Sequence, residues 1–150
     1  MEYVSQTRPE GCIFCIKPAE NRDRENLILK RGENCFIILN FYPYNNGHLM
    51  IVPYRHLADL SDLTAAEKTE IMDLMGRSAH IMQIALKAEG INVGMNLGRT
   101  AGAGIDDHLH FHMVPRWNGD TNFMPIVGHT KVISQGLFAA YDTLKPHYAI

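Results

Sequence analysis

His108, His110 and His112 occupy every second position of the run His108-Leu109-His110-Phe111-His112-Met113. An extended chain sends successive side chains to opposite faces. The spacing therefore predicts three imidazoles on one wall and Leu109, Phe111 and Met113 beneath it. A neutral imidazole carries one lone pair and titrates near physiological pH. Such a row can bind a metal, or one ring can act as a nucleophile while the others orient it and manage protons. A lone histidine would read as a hydrogen-bonded structural residue, but that reading leaves the alignment of three unexplained. The glycine-rich residues 98–104 just upstream either bring backbone N–H groups towards an anionic oxygen or form a plain flexible hairpin.

A second constellation sits near the N-terminus. Cys12-Ile13-Phe14-Cys15 has the spacing that lets two thiolates share one zinc ion, which is half of a tetrahedral site. The alternatives are a free-thiol pair or a redox pair, and the latter lacks its βαβ setting. Cys35, inside an apolar run, reads as a buried residue and not a ligand.

The elements that must position these groups follow from pattern and punctuation. Residues 27–29 read as a short strand, and Arg31-Gly32-Glu33-Asn34 as a hairpin turn. Cys35-Phe36-Ile37-Ile38-Leu39 reads as the next strand. His48-Leu49-Met50-Ile51-Val52 is a third, stopped by Pro53. Thr64-Ala65-Ala66-Glu67 has capping-box spacing, and Ile71, Leu74, Met75, Ser78, Met82, Ala85 and Leu86 form one stripe at helical intervals. The expectation is a helix of about 22 residues ending at Gly90, with Met72, Met75 and Met82 as core or groove filler. Residues 91–97 return to extended periodicity. A strand over Lys131-Val132-Ile133 and a helix from Ser134 to about Leu144 complete an α+β fold, an antiparallel sheet with one long packed helix and a second C-terminal helix.

Composition bounds the class. The chain has 150 residues, 46% of them hydrophobic, and 14 Lys and Arg against 16 Asp and Glu give a formal charge of -2. That length suits a single domain, residues 1–150, with an N-terminal Cys-x-x-Cys segment 1–26 and a C-terminal extension 116–150. The charge balance offers no basic excess for nucleic acid, and no apolar run is long enough for a membrane. Three cysteines do not make a disulfide framework, so a reducing cytoplasm is expected. There is no Rossmann or Walker pattern, and no organic cofactor is expected.

The run His108-Leu109-His110-Phe111-His112-Met113-Val114 resembles the signature of the histidine-triad family. The resemblance continues through Asn40, Gly47-His48-Leu49-Met50-Ile51-Val52-Pro53, His56, Met95-Asn96-Leu97-Gly98 and Pro115-Arg116. Tyr42-Pro43-Tyr44-Asn45-Asn46-Gly47-His48 and residues 117–125 are most similar to the fragile-histidine-triad and dinucleoside-polyphosphate branch. The resemblance implies a homodimer and nucleotidyl transfer or hydrolysis at an α-phosphate. It makes His110 the nucleophile, flanked by His108 and His112 and joined by His48. It makes Asn40 a ribose contact and Asn96 a phosphate or polar contact. Zinc-containing relatives complete a Cys-x-x-Cys site with two histidines, and His56 and His108 match best here, with His48 as a substitute. Relatives of this branch carry glutamine followed by serine or threonine before the triad, where this chain has Gly104-Ile105.

Around that centre, Gly102, Gly104 and Arg99 are phosphate candidates, Arg99 standing equally well as a solvated loop residue. Arg116 is a candidate to secure the strand end. Phe14, Ile16, Leu39 and Phe41 could wall a base slot or simply pack the sheet. Trp117 and Phe123 could cap a substrate or a dimer edge. The leading expectation is a nucleotide hydrolase or nucleotidyltransferase of dinucleoside polyphosphates, acting through a nucleotidyl-histidine. A diadenosine tetraphosphate phosphorylase is the alternative. A purine nucleoside phosphoramidase and a non-catalytic nucleotide-binding regulator follow.

Overall fold

A computed structural model describes residues 11–105, 107–120 and 136–149. Among these residues five antiparallel strands form one sheet in the order β1-β2-β3-β5-β4. They are β1 (Ile28–Arg31), β2 (Cys35–Leu39), β3 (Leu49–Pro53), β4 (Gly90–Gly94) and β5 (Phe111–Arg116). Helix α1 (Ile13–Ala19) precedes the sheet. Helix α2 (Ala65–Leu86) joins β3 to β4, and α3 (Leu137–Leu144) lies near the C-terminus. The expected strand at Lys131-Val132-Ile133, the helix start at Ser134, and Phe123 lie outside the described residues.

Strands β2 and β3 are buried along their whole lengths, which explains why their sequences run continuously apolar without alternation. Strand β1 begins one residue later than expected, at Ile28, since Leu27 at φ +63° leaves the extended region, although its carbonyl still accepts from the Leu39 amide at 3.0 Å. The turn between β1 and β2 forms as the sequence suggests. There the Glu33 and Asn34 amides donate to the Glu70 carboxylate of α2 at 2.6 and 2.5 Å. Gly32 is required here, since a Cβ would run into that carboxylate and the Cys35 carbonyl.

The capping box closes α2. Thr64 Oγ1 accepts from the Glu67 amide at 3.1 Å, and the Glu67 carboxylate accepts from the Thr64 amide at 2.8 Å. Arg55 clamps the same carboxylate at 2.6 and 2.9 Å. The helix has the expected 22 residues but stops at Leu86, not at Gly90. Lys87 takes the left-handed cap conformation at φ +56°, and Gly90 opens β4. Ile71, Leu74, Ser78 and Met82 face the core as the stripe requires. Met72 does not: it is 66% exposed, one position round the helix from the buried Ile71. Helix α2 packs against β2, β3 and β5, and α3 packs on α2. Buried Tyr148 fastens the C-terminal turn by donating to Ser78 Oγ at 2.8 Å. No described helix is long and apolar enough to cross a membrane.

Candidate functional site

The histidine segment enters the sheet later than expected. Ladder pairing with β3 starts at Phe111, opposite Ile51, and brings His112 opposite Met50. Before it, the Leu109 amide donates to Leu57 O at 2.8 Å, off the edge of the ladder. His108 and His110 therefore precede the strand, and the three rings do not share one wall. The rings of His110 and His112 stand 4.9 Å apart, whereas His108 turns towards the N-terminal helix.

Helix α1 starts at Cys12, its N-cap, so Cys12 and Cys15 flank its first turn. His108 Nδ1 lies 3.4 Å from Cys12 Sγ and 3.6 Å from Cys15 Sγ. His56 Nδ1 lies 3.4 Å from Cys15 Sγ and 3.2 Å from His108 Nδ1. A tetrahedral zinc with ordinary Zn–S and Zn–N bonds would set its ligand edges at about 3.6 Å for S–N and about 3.3 Å for N–N. The donor set fits that cation. Burial pushes the Cys15 thiol up to about 11, with the Cys12 thiol beside it adding to the rise. A divalent cation removes that conflict by stabilising the thiolates. Burial holds His108 down at about 4, in the neutral form that a ligand needs. Its other nitrogen donates to Pro53 O at 2.8 Å, and His56 Nε2 faces Asp107 at 3.4 Å. Both are the outer partners that orient ligating imidazoles. Zinc here would be closed off by four protein ligands and serve structure. His108 thus has Nδ1 in this cluster and Nε2 on the Pro53 carbonyl, leaving neither for the reactive wall to which the spacing also assigned it.

The remaining rings form a chain whose proton positions can be deduced. His110 Nδ1 is 2.9 Å from His108 O, and a carbonyl can only accept. Nδ1 carries the proton, so Nε2 holds the lone pair. Burial lowers the His110 pKa, which keeps the ring neutral. In the second branch, the Tyr44 amide donates to His48 Nδ1 at 3.1 Å. Neutral His48 then carries its proton on Nε2 and donates to His112 Nδ1 at 2.9 Å. His112, held down at about 4 by burial and by neighbouring His110, keeps a proton on Nε2 to offer an oxygen. The register explains this meeting: His48 immediately precedes β3 and is the diagonal neighbour of His112 on the same face. Asn40 Nδ2 stands 3.4 Å from His48 Nε2, a packing contact between two donors, while Asn40 Oδ1 accepts from the Tyr42 amide at 2.8 Å.

The HIT domain family matches residues 21–119. The chain belongs to the HIT family. The AP-4-A phosphorylase of Mycobacterium tuberculosis is 47% identical over 113 residues, covering 75% of this chain and 58% of that protein. The HIT chain therefore spans about three fifths of that relative's length. A zinc-bound histidine triad family protein from Mycobacterium smegmatis has a crystal structure matching at TM-score 0.76 and 25% identity, over 93% and 94% of the two chains. A hypothetical histidine triad nucleotide-binding protein from Sulfolobus tokodaii matches at TM-score 0.69 and 26% identity, over 91% and 89%.

The other expected contacts of the HIT chain separate by burial. Phe14 and Leu39 are buried and belong to the hydrophobic core. Ile16 and Phe41 are exposed, and the Lys17 ammonium sits 5.3 Å from the Phe41 ring. Asn96 is half-buried, its amide nitrogen against Gly102, which has φ +93° at the end of a 3-10 turn Arg99–Ala101. Arg99, Gly102 and Gly104 are exposed on the loop that leads into the histidines. Arg116 secures the strand end, bonding Asp120 at 2.7 Å and Asn92 at 2.8 Å. Trp117 donates its indole N–H to Leu86 O at 3.0 Å, which closes the end of α2. Sequence reasoning missed Tyr44 and Asp107. The first acts through its backbone, which residue type does not report. The second was signalled only by standing next to His108.

Proposed function

We propose that this chain is a dinucleoside-polyphosphate phosphorylase acting on substrates such as diadenosine tetraphosphate, and that His110 is its nucleophile. The observation that carries the reading is the His110 Nδ1–H bond to His108 O, which leaves a neutral, unprotonated Nε2 beside the His112 donor. Nε2 attacks the α-phosphorus in line, and the bond from phosphorus to the bridging oxygen breaks. His112 Nε2–H supports the departing oxygen. Inorganic phosphate then attacks the nucleotidyl-histidine, the N–P bond breaks, and its electron pair returns to Nε2. Splitting one transfer into two attacks is the advantage of a covalent nucleophile.

Phosphorolysis displaces the hydrolase expectation because the relative at 47% identity is named a phosphorylase. Asn40 and Asn96 are assigned to ribose and phosphate, Phe41 and Ile16 to the base, and the Arg99 loop with Gly102 and Gly104 to the polyphosphate. We also assign a homodimer, with the outer edge of β4 as the joining surface, and a reducing cytoplasmic setting in which the three cysteines are free of disulfides. The test is product analysis on a dinucleoside-polyphosphate panel with and without inorganic phosphate. Phosphate-dependent nucleoside diphosphate supports phosphorolysis, and monophosphate released at the same rate without phosphate returns the chain to the hydrolases. His110→Ala should lose the covalent intermediate, and full turnover in that variant would remove the nucleophile assignment.

A further inference from the structure

Phe14 stands between the two cysteines of the cation cluster, and its ring meets two of the histidines. The ring centroid lies 5.5 Å from that of His108, edge-on, and 5.0 Å from that of His110. The side chain is 1% exposed and supplies no ligand atom. Cys12 and Cys15 tie the backbone on either side of it to the cluster, so cluster geometry decides where the Phe14 ring stands. The same cluster fixes His108, whose carbonyl accepts the His110 Nδ1–H bond at 2.9 Å. Two separate paths thus run from one set of ligands to one ring. They matter because His110 precedes β5 and receives no placement from the strand ladder.

We infer that Phe14 is a positioning residue, and that the Cys12, Cys15, His56 and His108 cluster acts through it and through the His108 carbonyl to hold His110 in one orientation and one tautomer. This rests on His110 being the nucleophile. The cluster then does more than staple α1 to the sheet: its occupancy sets the readiness of a group that is not one of its ligands. Misplacement of a reacting atom by about 1 Å can cost on the order of 100-fold in rate, so a modest loosening should be visible.

The experiment uses the full zinc-loaded chain with Phe14→Leu and, as a second variant of similar bulk but greater flexibility, Phe14→Met. Metal analysis reads zinc content. Long-range proton–nitrogen NMR of the ring nitrogens reads the His110 tautomer without any substrate. Rapid quench reads nucleotidyl-enzyme formation from diadenosine tetraphosphate. The expected result is unchanged zinc content, a His110 signal split between both tautomers, and intermediate formation slowed about 10- to 100-fold with KM within about twofold. Chelating the wild-type chain should produce the same splitting. A folded, zinc-loaded variant that keeps the Nδ1–H tautomer and the wild-type rate overturns the role of Phe14. An unchanged His110 signal after chelation overturns the role of the cluster. Absence of any nucleotidyl-enzyme in wild type would count against the proposed function alone, since the ring-nitrogen spectra still decide the positioning.

Discussion

Tyr44 is 76% exposed, yet its backbone determines the protonation of buried His48 and half-buried His112. Its amide can only donate, so His48 Nδ1 must accept, and that choice passes through His48 to His112. The Tyr44 ring also stacks on His48 at a centroid distance of 5.0 Å. Removing the phenol should matter little and removing the amide hydrogen should matter much. Tyr44→Phe should keep near-wild-type turnover, whereas Tyr44→Pro should lower kcat about 10- to 100-fold, the scale on which metal-bound imidazoles suffer from losing their outer hydrogen-bond partner. Steady-state kinetics on both variants, with circular dichroism as the fold check, would decide it, and equal activity in the two would remove the relay. Residue types and spacing were enough to set His108, His110 and His112 apart, and the family resemblance added His48. They could not split the triad, because alternation describes a strand and His108 precedes one.

At the scale of elements, α2 depends on a carboxylate that its capping box shares with Arg55. The Arg55 guanidinium bonded to Glu67 holds that carboxyl down at about 2, against an ordinary value of 4.5, with the Thr64 amide assisting. The folded value is below the unfolded one, so this contribution is complete above the ordinary pKa. It is lost as pH falls from about 4.5 towards 2. Acid unfolding of wild type should therefore steepen across that window, and Glu67→Gln should flatten it while lowering Tm at neutral pH. A wild-type slope retained in the variant would show that Glu67 is not responsible. The box was legible from Thr64 and Glu67 alone because capping is local chemistry. The helix end was not, since Lys87 adopts a conformation that composition assigns to glycine. Met72 was misplaced for a related reason: neighbouring methionines look alike in sequence, and only the rotation of the helix separates Met72 from buried Met82.

For the molecule as a whole, β4 is an edge strand whose outward side bears no strand among the described residues, and Val93 on it is 53% exposed. An open edge with apolar side chains invites pairing with another chain. If two copies join there as proposed, Val93→Lys should shift sedimentation from dimer to monomer at micromolar concentration with little change in Tm. A dimer unaffected by that change would place the interface elsewhere. The order of the elements was legible because turns and apolar runs punctuate the chain clearly. The pairing of β4 with β5, and of β5 with β3, was not, because it joins segments distant in sequence.

The left-handed backbone at Lys87 carries a practical consequence. A lysine held at φ +56° is in a conformation costing about 1–2 kcal/mol for a residue with a Cβ, and its exposed side chain lies at the far end of α2 from the capping box. Lys87→Gly should recover part of that and raise Tm by roughly 2–4 °C in a calorimetric scan, and an unchanged or lower Tm would show the strain is not there to release. The gain would make a hardier background, one in which damaging substitutions among the imidazoles could be purified and measured when the parent chain would not tolerate them.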